Sequence, residues 1–216
     1  MKRAYFLTGT DTGVGKTLAA CALLHAAAAQ GMRTLGMKPV AAGGSEDVDA
    51  LIAASSVAAP RACVNPYLLR EPLAPHIAAR RDGVAIDIGR IARCFEELRG
   101  LADFLVVEGA GGFRVPFDES RDSADLAVSL GLPVILVVGL RLGCINHALL
   151  TAEAVRARGL HLAGWIANQV DAKMACVQDN IAALHARLDA PLLGSVPHLA
   201  APDAAKVAGT LTLPKD

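Results

Sequence analysis

Gly9-Thr10-Asp11-Thr12-Gly13-Val14-Gly15-Lys16-Thr17, GTDTGVGKT, is the stretch from which the rest of this chain can be read. An apolar run, Tyr5-Phe6-Leu7, precedes it, and an Ala/Leu-rich segment of high helix propensity, Leu18 to Ala29, comes after. Strand, glycine loop and helix in that order gather backbone N–H groups and the positive end of a helix dipole at one point, which is a setting for phosphate. In such a loop Lys16 reaches the β- and γ-phosphates and the Thr17 hydroxyl takes Mg²⁺. The usual spacing puts a glycine at position 10, where this chain has threonine, so the loop is a variant. The plain alternative is a glycine-rich turn carrying a surface lysine.

Composition narrows the class. A chain of 216 residues fits one α/β domain with an ample core. Hydrophobic residues make up 53% and aromatics only 4%, which suggests alanine-rich helices packed closely on a sheet of Val, Ile and Leu. The formal net charge is zero, so no global field draws nucleic acid or an anionic membrane. Five cysteines, Cys21, Cys63, Cys94, Cys144 and Cys176, form no Cys-x-x-Cys pair and read as reduced thiols. The N-terminal apolar run is too short for a signal peptide, and no stretch reaches the ~18 apolar residues of a membrane span. A soluble, cytoplasmic protein is the expectation.

Outward from the loop, Arg33 to Lys38 reads as a second strand closed by Pro39, which puts Lys38 at a carboxyl end, where open parallel sheets bind ligands. Glu46, Asp47 and Asp49 crowd the start of a short helix expected over Val48 to Ser56. They either complement its dipole or include a Mg²⁺ ligand, and spacing does not choose. Residues 58–83 hold four prolines and read as an irregular excursion over the active-site edge. A helix over Ile86 to Leu101 returns to Phe104-Leu105-Val106-Val107-Glu108, a core strand tipped by a carboxylate and followed by Gly109-Ala110-Gly111-Gly112. An acid at that place supplies the second metal-binding element of nucleotide enzymes, and glycines beside it admit a nucleotide.

Leu132 to Val138 is the most apolar strand and is expected at the centre. It leads through Gly139 to Gly143 into a helix opening at Cys144-Ile145-Asn146-His147, another N-terminal anion site with Arg141 nearby. Leu162 to Ala167 ends at Asn168-Gln169-Val170-Asp171, an echo of the guanine-reading Asn-Lys-x-Asp that lacks its lysine and therefore favours adenine. Val177 to Leu188 reads as a helix and Leu192 to Val196 as a last strand, with Pro197-His198-Leu199 at its carboxyl edge. The alternation argues an α/β fold, a mainly parallel sheet with helices on both faces.

Taken in order, YFLTGTDTGVGKT, GMKPVAAG, VNPY, EPLAPHIAA, VVEGAGG, LPVILVVGLRLGCINHALLTAE, LAGWIAN and PLLGSVPHL closely resemble the dethiobiotin synthetase family over almost the whole chain. The resemblance implies a P-loop NTPase-like domain over residues 1–216 and ATP- and Mg²⁺-dependent ring closure on 7,8-diaminopelargonate and CO₂. It makes Thr12, Gly13, Val14, Gly15, Lys16, Thr17 and Leu18 the triphosphate cradle, and Thr17, Asp49 and Glu108 the Mg²⁺ set. Lys38 and Lys16 become the catalytic lysines, the first holding the carbamate and the second acting on the phosphates. Glu108, Gly109, Ala110, Gly111, Asn168, Gln169, Pro197, His198 and Leu199 resemble the nucleotide contacts. The family works as a homodimer in which Gly143, Cys144, Ile145 and Asn146 of one subunit grip the substrate carboxylate at the other. Ala42 stands where the family often has a substrate-contacting Ser or Thr, Arg141 replaces a common Lys, Gln169 a common Asp, and Asp203 corresponds to a late acidic nucleotide contact. The rival reading is a partitioning ATPase switch, whose loop carries a second lysine where this chain has Thr10 and Asp11.

Overall fold

In the computed structural model, which describes residues 2–215, β1 (Arg3–Gly9) runs through the glycine loop into α1 (Lys16–Ala28). β2 (Thr34–Met37), β3 (Val40–Ala42), α2 (Glu46–Ala54), α3 (Arg61–Val64), β4 (Tyr67–Leu69), α4 (Pro75–Asp82) and α5 (Ile88–Leu101) come next. The rest alternates as β5 (Phe104–Glu108), α6 (Ser123–Leu130), β6 (Val134–Leu140), α7 (Cys144–Ala157), β7 (Leu162–Gln169), α8 (Val177–His185), β8 (Leu192–Val196) and α9 (Ala204–Ala208). Six strands pair in parallel in the order β2-β5-β1-β6-β7-β8, and β3 and β4 form a separate parallel ribbon.

Burial explains this topology. Every residue of β5 (FLVVE) and β6 (VILVVGL) is buried, because parallel strands in the middle of such a sheet carry helices on both faces. Side chains alternate between two cores with the pleat. Phe6, Leu136, Val138 and Trp165 face α5, α6, α7 and α8, whereas Leu7, Ile135 and Val137 face α1 and α9. The sheet therefore has the parallel, two-faced form that the alternation of elements predicts, and β6 lies centrally between β1 and β7.

Several boundaries differ from expectation. α1 begins at Lys16 and α2 at Glu46, each two residues before its predicted start. The excursion over residues 58–83 contains α3, β4 and α4, since Pro75 serves as a first-turn residue and Gly83, with φ 68°, stops that helix. α6 has no counterpart in the sequence reading. A reciprocal cap between Asp122 and Asp125 starts it, so two acids in a polar stretch are a helix signal there.

Candidate functional site

The glycine loop is shaped by contacts that only bare backbone allows. A Cβ on Gly9 would lie 2.6 Å from Val14 Cγ2, and one on Gly139 2.6 Å from Val14 Cγ1, so Val14 plugs the loop down between β1 and β6. Gly15, at φ 84°, turns the chain into α1 directly above Asn168, whose Nδ2 donates to the Val14 carbonyl at 2.8 Å. Loop backbone and helix N-terminus thus face the crevice outside the carboxyl ends of β1 and β5.

Four charged side chains and one hydroxyl meet in that crevice. Lys38 continues β2 past Met37, which pairs with Val107, so Lys38 comes to stand beside Glu108 at the tip of β5. Lys38 Nζ donates to Glu108 Oε1 at 2.5 Å and to Asp47 Oδ2 at 2.9 Å. The Thr17 hydroxyl lies 2.8 Å from that same Glu108 oxygen and 2.8 Å from Asp47 Oδ1, its one proton shared between two acceptors. Lys16 folds over the loop and donates to the Asp11 carbonyl at 3.0 Å. Behind the site, the Lys38 N–H donates to the Val64 carbonyl at 2.9 Å, and Asn65 Nδ2 donates to the Lys38 carbonyl at 2.6 Å. The lysine's backbone is thereby held from both sides by the end of α3.

Electrostatics track burial. Glu108 is fully buried, and this desolvation raises its pKa despite Lys38. Burial is also the largest influence on Lys38 and pulls its pKa down, but Glu108 and Asp47 together outweigh it, and the net shift is upward. Asp47 is lowered, because Lys38, Thr17 and Lys16 more than offset its partial burial. Lys16 has no carboxylate in contact. Burial first, and the Lys38 charge second, bring it down to about 8.

Among the described residues, the cleft above these groups has a volume of about 920 Å³. The glycine loop and the turn after β5 line it together with Ala42–Gly44, Pro72–Pro75 and Arg114–Pro116. A charged floor under walls of Ala, Pro and Val suits a polyanion next to a compact, partly aliphatic molecule.

A family model described as an AAA domain matches residues 3–206. The ATP-dependent dethiobiotin synthetase BioD of Aromatoleum aromaticum is 59% identical over 220 residues, covering 98% of this chain and 98% of its own. That of Janthinobacterium sp. is 55% identical, covering 95% and 92%. The chain belongs to the dethiobiotin synthetase family. Among solved structures, the septum site-determining protein MinD of Pyrococcus horikoshii, complexed with Mg-ADP, superposes with a TM-score of 0.59 at 17% identity, covering 91% of this chain and 82% of that one. A ParA family ATPase from Chlorobium tepidum gives 0.56 at 14%, covering 92% and 84%. These two likenesses show the P-loop NTPase fold alone.

With the synthetase family in place, one expected residue needs correcting. Asp49 is not in the cleft: its carboxylate accepts from Ser45 Oγ at 2.7 Å and from Arg61 Nη1 at 2.7 Å, half exposed on the outer side of α2. Because α2 starts at Glu46, its first turn opens onto the crevice, and Asp47 is the acid that meets Thr17 and Lys38. Of the other residues matched to the family's site, Thr12, Gly13, Gly15, Lys16, Thr17, Lys38, Ala42, Glu108, Ala110 and Gly111 line the cleft. Val14 and Leu18 pack beneath it, and Gly109 lies against the Phe6 ring with its carbonyl 3.5 Å from Lys38 Nζ.

The remaining matches lie elsewhere. Asn168 is 7% exposed and supports the loop from below. Gln169 donates from Nε2 to the Asp171 carbonyl, and Pro197, His198 and Leu199 stand exposed beyond β8, none of the four on the cleft wall. Asp203 caps α9, accepting from Ala205 and Lys206 N–H groups. Gly143, Cys144, Ile145 and Asn146 open α7 away from the cleft, with Cys144 buried and its Sγ 3.9 Å from Asn180 Oδ1. Sequence reasoning missed the ion pair between Arg141 and Asp11, which ties the turn before α7 to the glycine loop, and the brace from Asn65 to Lys38. Only the VNPY segment offered any signal for the latter.

Proposed function

We propose that this chain closes the ureido ring of dethiobiotin from 7,8-diaminopelargonate and CO₂, with ATP as phosphoryl donor. The observation that carries the reading is the convergence of Lys38, Asp47 and Thr17 on Glu108, on the floor of a cleft walled by the glycine loop. Phosphoryl transfer needs positioning and charge neutralisation rather than a protein nucleophile, and that is what two lysines and a helix N-terminus supply.

The loop N–H groups and Lys16 hold the triphosphate of ATP. Lys38 holds the substrate carbamate by its oxygens and stabilises the charge that spreads as a carbamate oxygen takes the γ-phosphoryl group and ADP departs. The second amine then attacks the carbamoyl carbon, and phosphate leaves with the C–O bond. Ala42, without a hydroxyl, offers this substrate only its backbone.

The donor set also suits Mg²⁺. Glu108 Oε2 is buried without a hydrogen-bond partner, and with Asp47 and the Thr17 hydroxyl it forms a set of hard oxygens on one side of the phosphate loop. Thr17, Asp47 and Glu108 are the residues that would hold the ion, and when bound it neutralises phosphate charge.

All of these groups sit on one sheet and its crossovers, within a single domain. The Gly143–Asn146 turn, remote from its own cleft, acquires a role when a partner copy presents it to the substrate carboxylate. Leu142 beside it is 97% exposed, which suits a homodimer. Among the described residues no helix is long and apolar enough to cross a membrane, as a protein working on small molecules in the cytoplasm would have it.

The test is product analysis. The protein with ATP, Mg²⁺, bicarbonate and the diamine should yield the cyclic urea with stoichiometric phosphate. Phosphate release indifferent to the diamine would instead support a nucleotide switch. Sedimentation of the active species, with loss of activity on dilution to monomer, checks the dimer.

A further inference from the structure

Cys63 on α3 and Cys94 on α5 lie outside the cleft and take no part in the reaction above. Both are free and partly exposed. Cys63 Sγ donates to Glu97 Oε2 at 3.2 Å, and Glu97 stands one turn beyond Cys94 on the same face of α5. Cys94 Sγ in turn is 3.9 Å from the carbonyl oxygen of Ala62, the residue before Cys63. Both sulfurs therefore lie at the contact between α3 and α5. Burial, with Cys94 and Glu97 alongside, pushes the Cys63 thiol up to about 12, so it keeps its proton and aims it at a carboxylate.

The next two residues of the chain link this pair to the site. Val64 accepts the Lys38 N–H and Asn65 donates to the Lys38 carbonyl, so the neighbours of Cys63 hold the peptide that carries the catalytic lysine. α3 has only four residues, whereas α5 has fourteen and buries Ile91, Phe95 and Leu98. Any approach of one sulfur to the other therefore moves α3.

We propose that Cys63 and Cys94 are a reversible disulfide site, closed by a low-molecular-weight disulfide such as oxidised glutathione, and that closure slows catalysis by displacing Lys38. The Cys94 thiolate attacks one sulfur of the oxidant, forming a mixed disulfide and expelling a glutathione thiolate. Cys63 then attacks the Cys94 sulfur as its proton passes to Glu97. The Cys63–Cys94 bond forms, and a second glutathione leaves, taking up that proton. Two protein thiols are oxidised and one glutathione disulfide is reduced to two thiols. The bond needs a sulfur separation of about 2.05 Å, so α3 must shift and Cys63 must release Glu97. Misplacement by about 1 Å is costly in a site built on positioning, and a rate loss on the order of tenfold is expected. Disulfides in reducing compartments are typically transient and redox-sensing, which fits a partly exposed pair at the edge of the core.

The experiment treats the full-length chain with graded ratios of oxidised to reduced glutathione. Intact mass and peptide mapping read the bond; cyclic-urea formation and ATP affinity read the effect. The expected result is a Cys63–Cys94 peptide, a rate reduced on the order of tenfold with ATP affinity unchanged, recovery on adding dithiothreitol, and immunity of both Cys63→Ser and Cys94→Ser. A Cys176→Ser background removes the exposed thiol that would otherwise cross-link chains. Glutathione adducts without the internal bond, or a fully formed bond with an undiminished rate, would overturn the proposal. Its activity arm rests on the synthetase reading, but mapping does not: a reduced protein that makes no cyclic urea refutes that reading, while the bond is judged by mass alone.

Discussion

Lys38→Met removes a charge while leaving most of the side-chain stem in place, and the surroundings of Nζ set the size of the effect. Nζ contacts Glu108 at 2.5 Å and Asp47 at 2.9 Å from a position 4% exposed. Removing one partner of a buried pair costs about 3–5 kcal/mol, since the other charge is left uncompensated. Here the low end applies, about 3 kcal/mol, because Asp47 is half exposed and Glu108, already raised by burial, can take a proton. In the variant, the folded-state pKa of Glu108 stays above its unfolded value, so the folded chain binds that proton first. The stability deficit should be fully present at high pH and shrink as pH falls through the folded pKa. Catalysis should suffer separately, with kcat lower by roughly 10²–10³-fold, as when one preorganised donor is lost. ATP should bind as well as before, since the second cause of the lowered Lys16 pKa disappears with the Lys38 charge. Urea unfolding across pH, steady-state rates and nucleotide titration measure the three effects. A variant within about threefold of the parent kcat and less than about 1 kcal/mol destabilised would refute the reasoning.

Asp47→Asn should raise the Mg²⁺ concentration for half-maximal rate on the order of tenfold or more, whereas Asp49→Asn, losing only exposed contacts to Ser45 and Arg61, should leave it unchanged. The reverse pattern in a Mg²⁺ titration would restore Asp49 as the ligand. Lys16 titrates at about 8 in the free protein and binds phosphate as the cation, so affinity for a non-hydrolysable ATP analogue should hold below about pH 8 and weaken above it, with proton uptake on binding. Calorimetry in buffers of different ionisation enthalpy detects that proton; no uptake near pH 9 would count against it. Asn65→Ala should cost about 1–3 kcal/mol and lower kcat while leaving KM for ATP unchanged, because it frees the Lys38 carbonyl without touching the nucleotide. A rise in KM alone would remove its positioning role.

Much of the nucleotide half of the site was legible in the chain, because its signals are local. Gly13, Gly15, Lys16 and Thr17 are adjacent in sequence and adjacent in space, and Glu108 ends an unmistakable core strand. The acids of α2 were not resolved by pattern, since Asp47 and Asp49 differ by two positions and the helix start decides which faces inward. Nor did α6 announce itself, whereas the Pro72–Pro75 wall lies within the excursion expected over the active-site edge. A capped polar segment and a proline-rich one resemble loops until a sheet edge orders them.

By itself the sequence determined the strands of the main sheet and most of the helices between them, the two-faced apolar alternation and the phosphate loop, all written in neighbouring residues. Tertiary structure alone decided the partners of Glu108. β5 inserts between β1 and β2, and this brings Thr17, Asp47 and Lys38, which lie 91, 61 and 70 residues from Glu108 along the chain, to one carboxylate. The physical reason is that a charge at a strand tip inside a sheet this apolar is tolerable only where opposite charge and hydrogen bonds meet it, and that meeting depends on strand order and register.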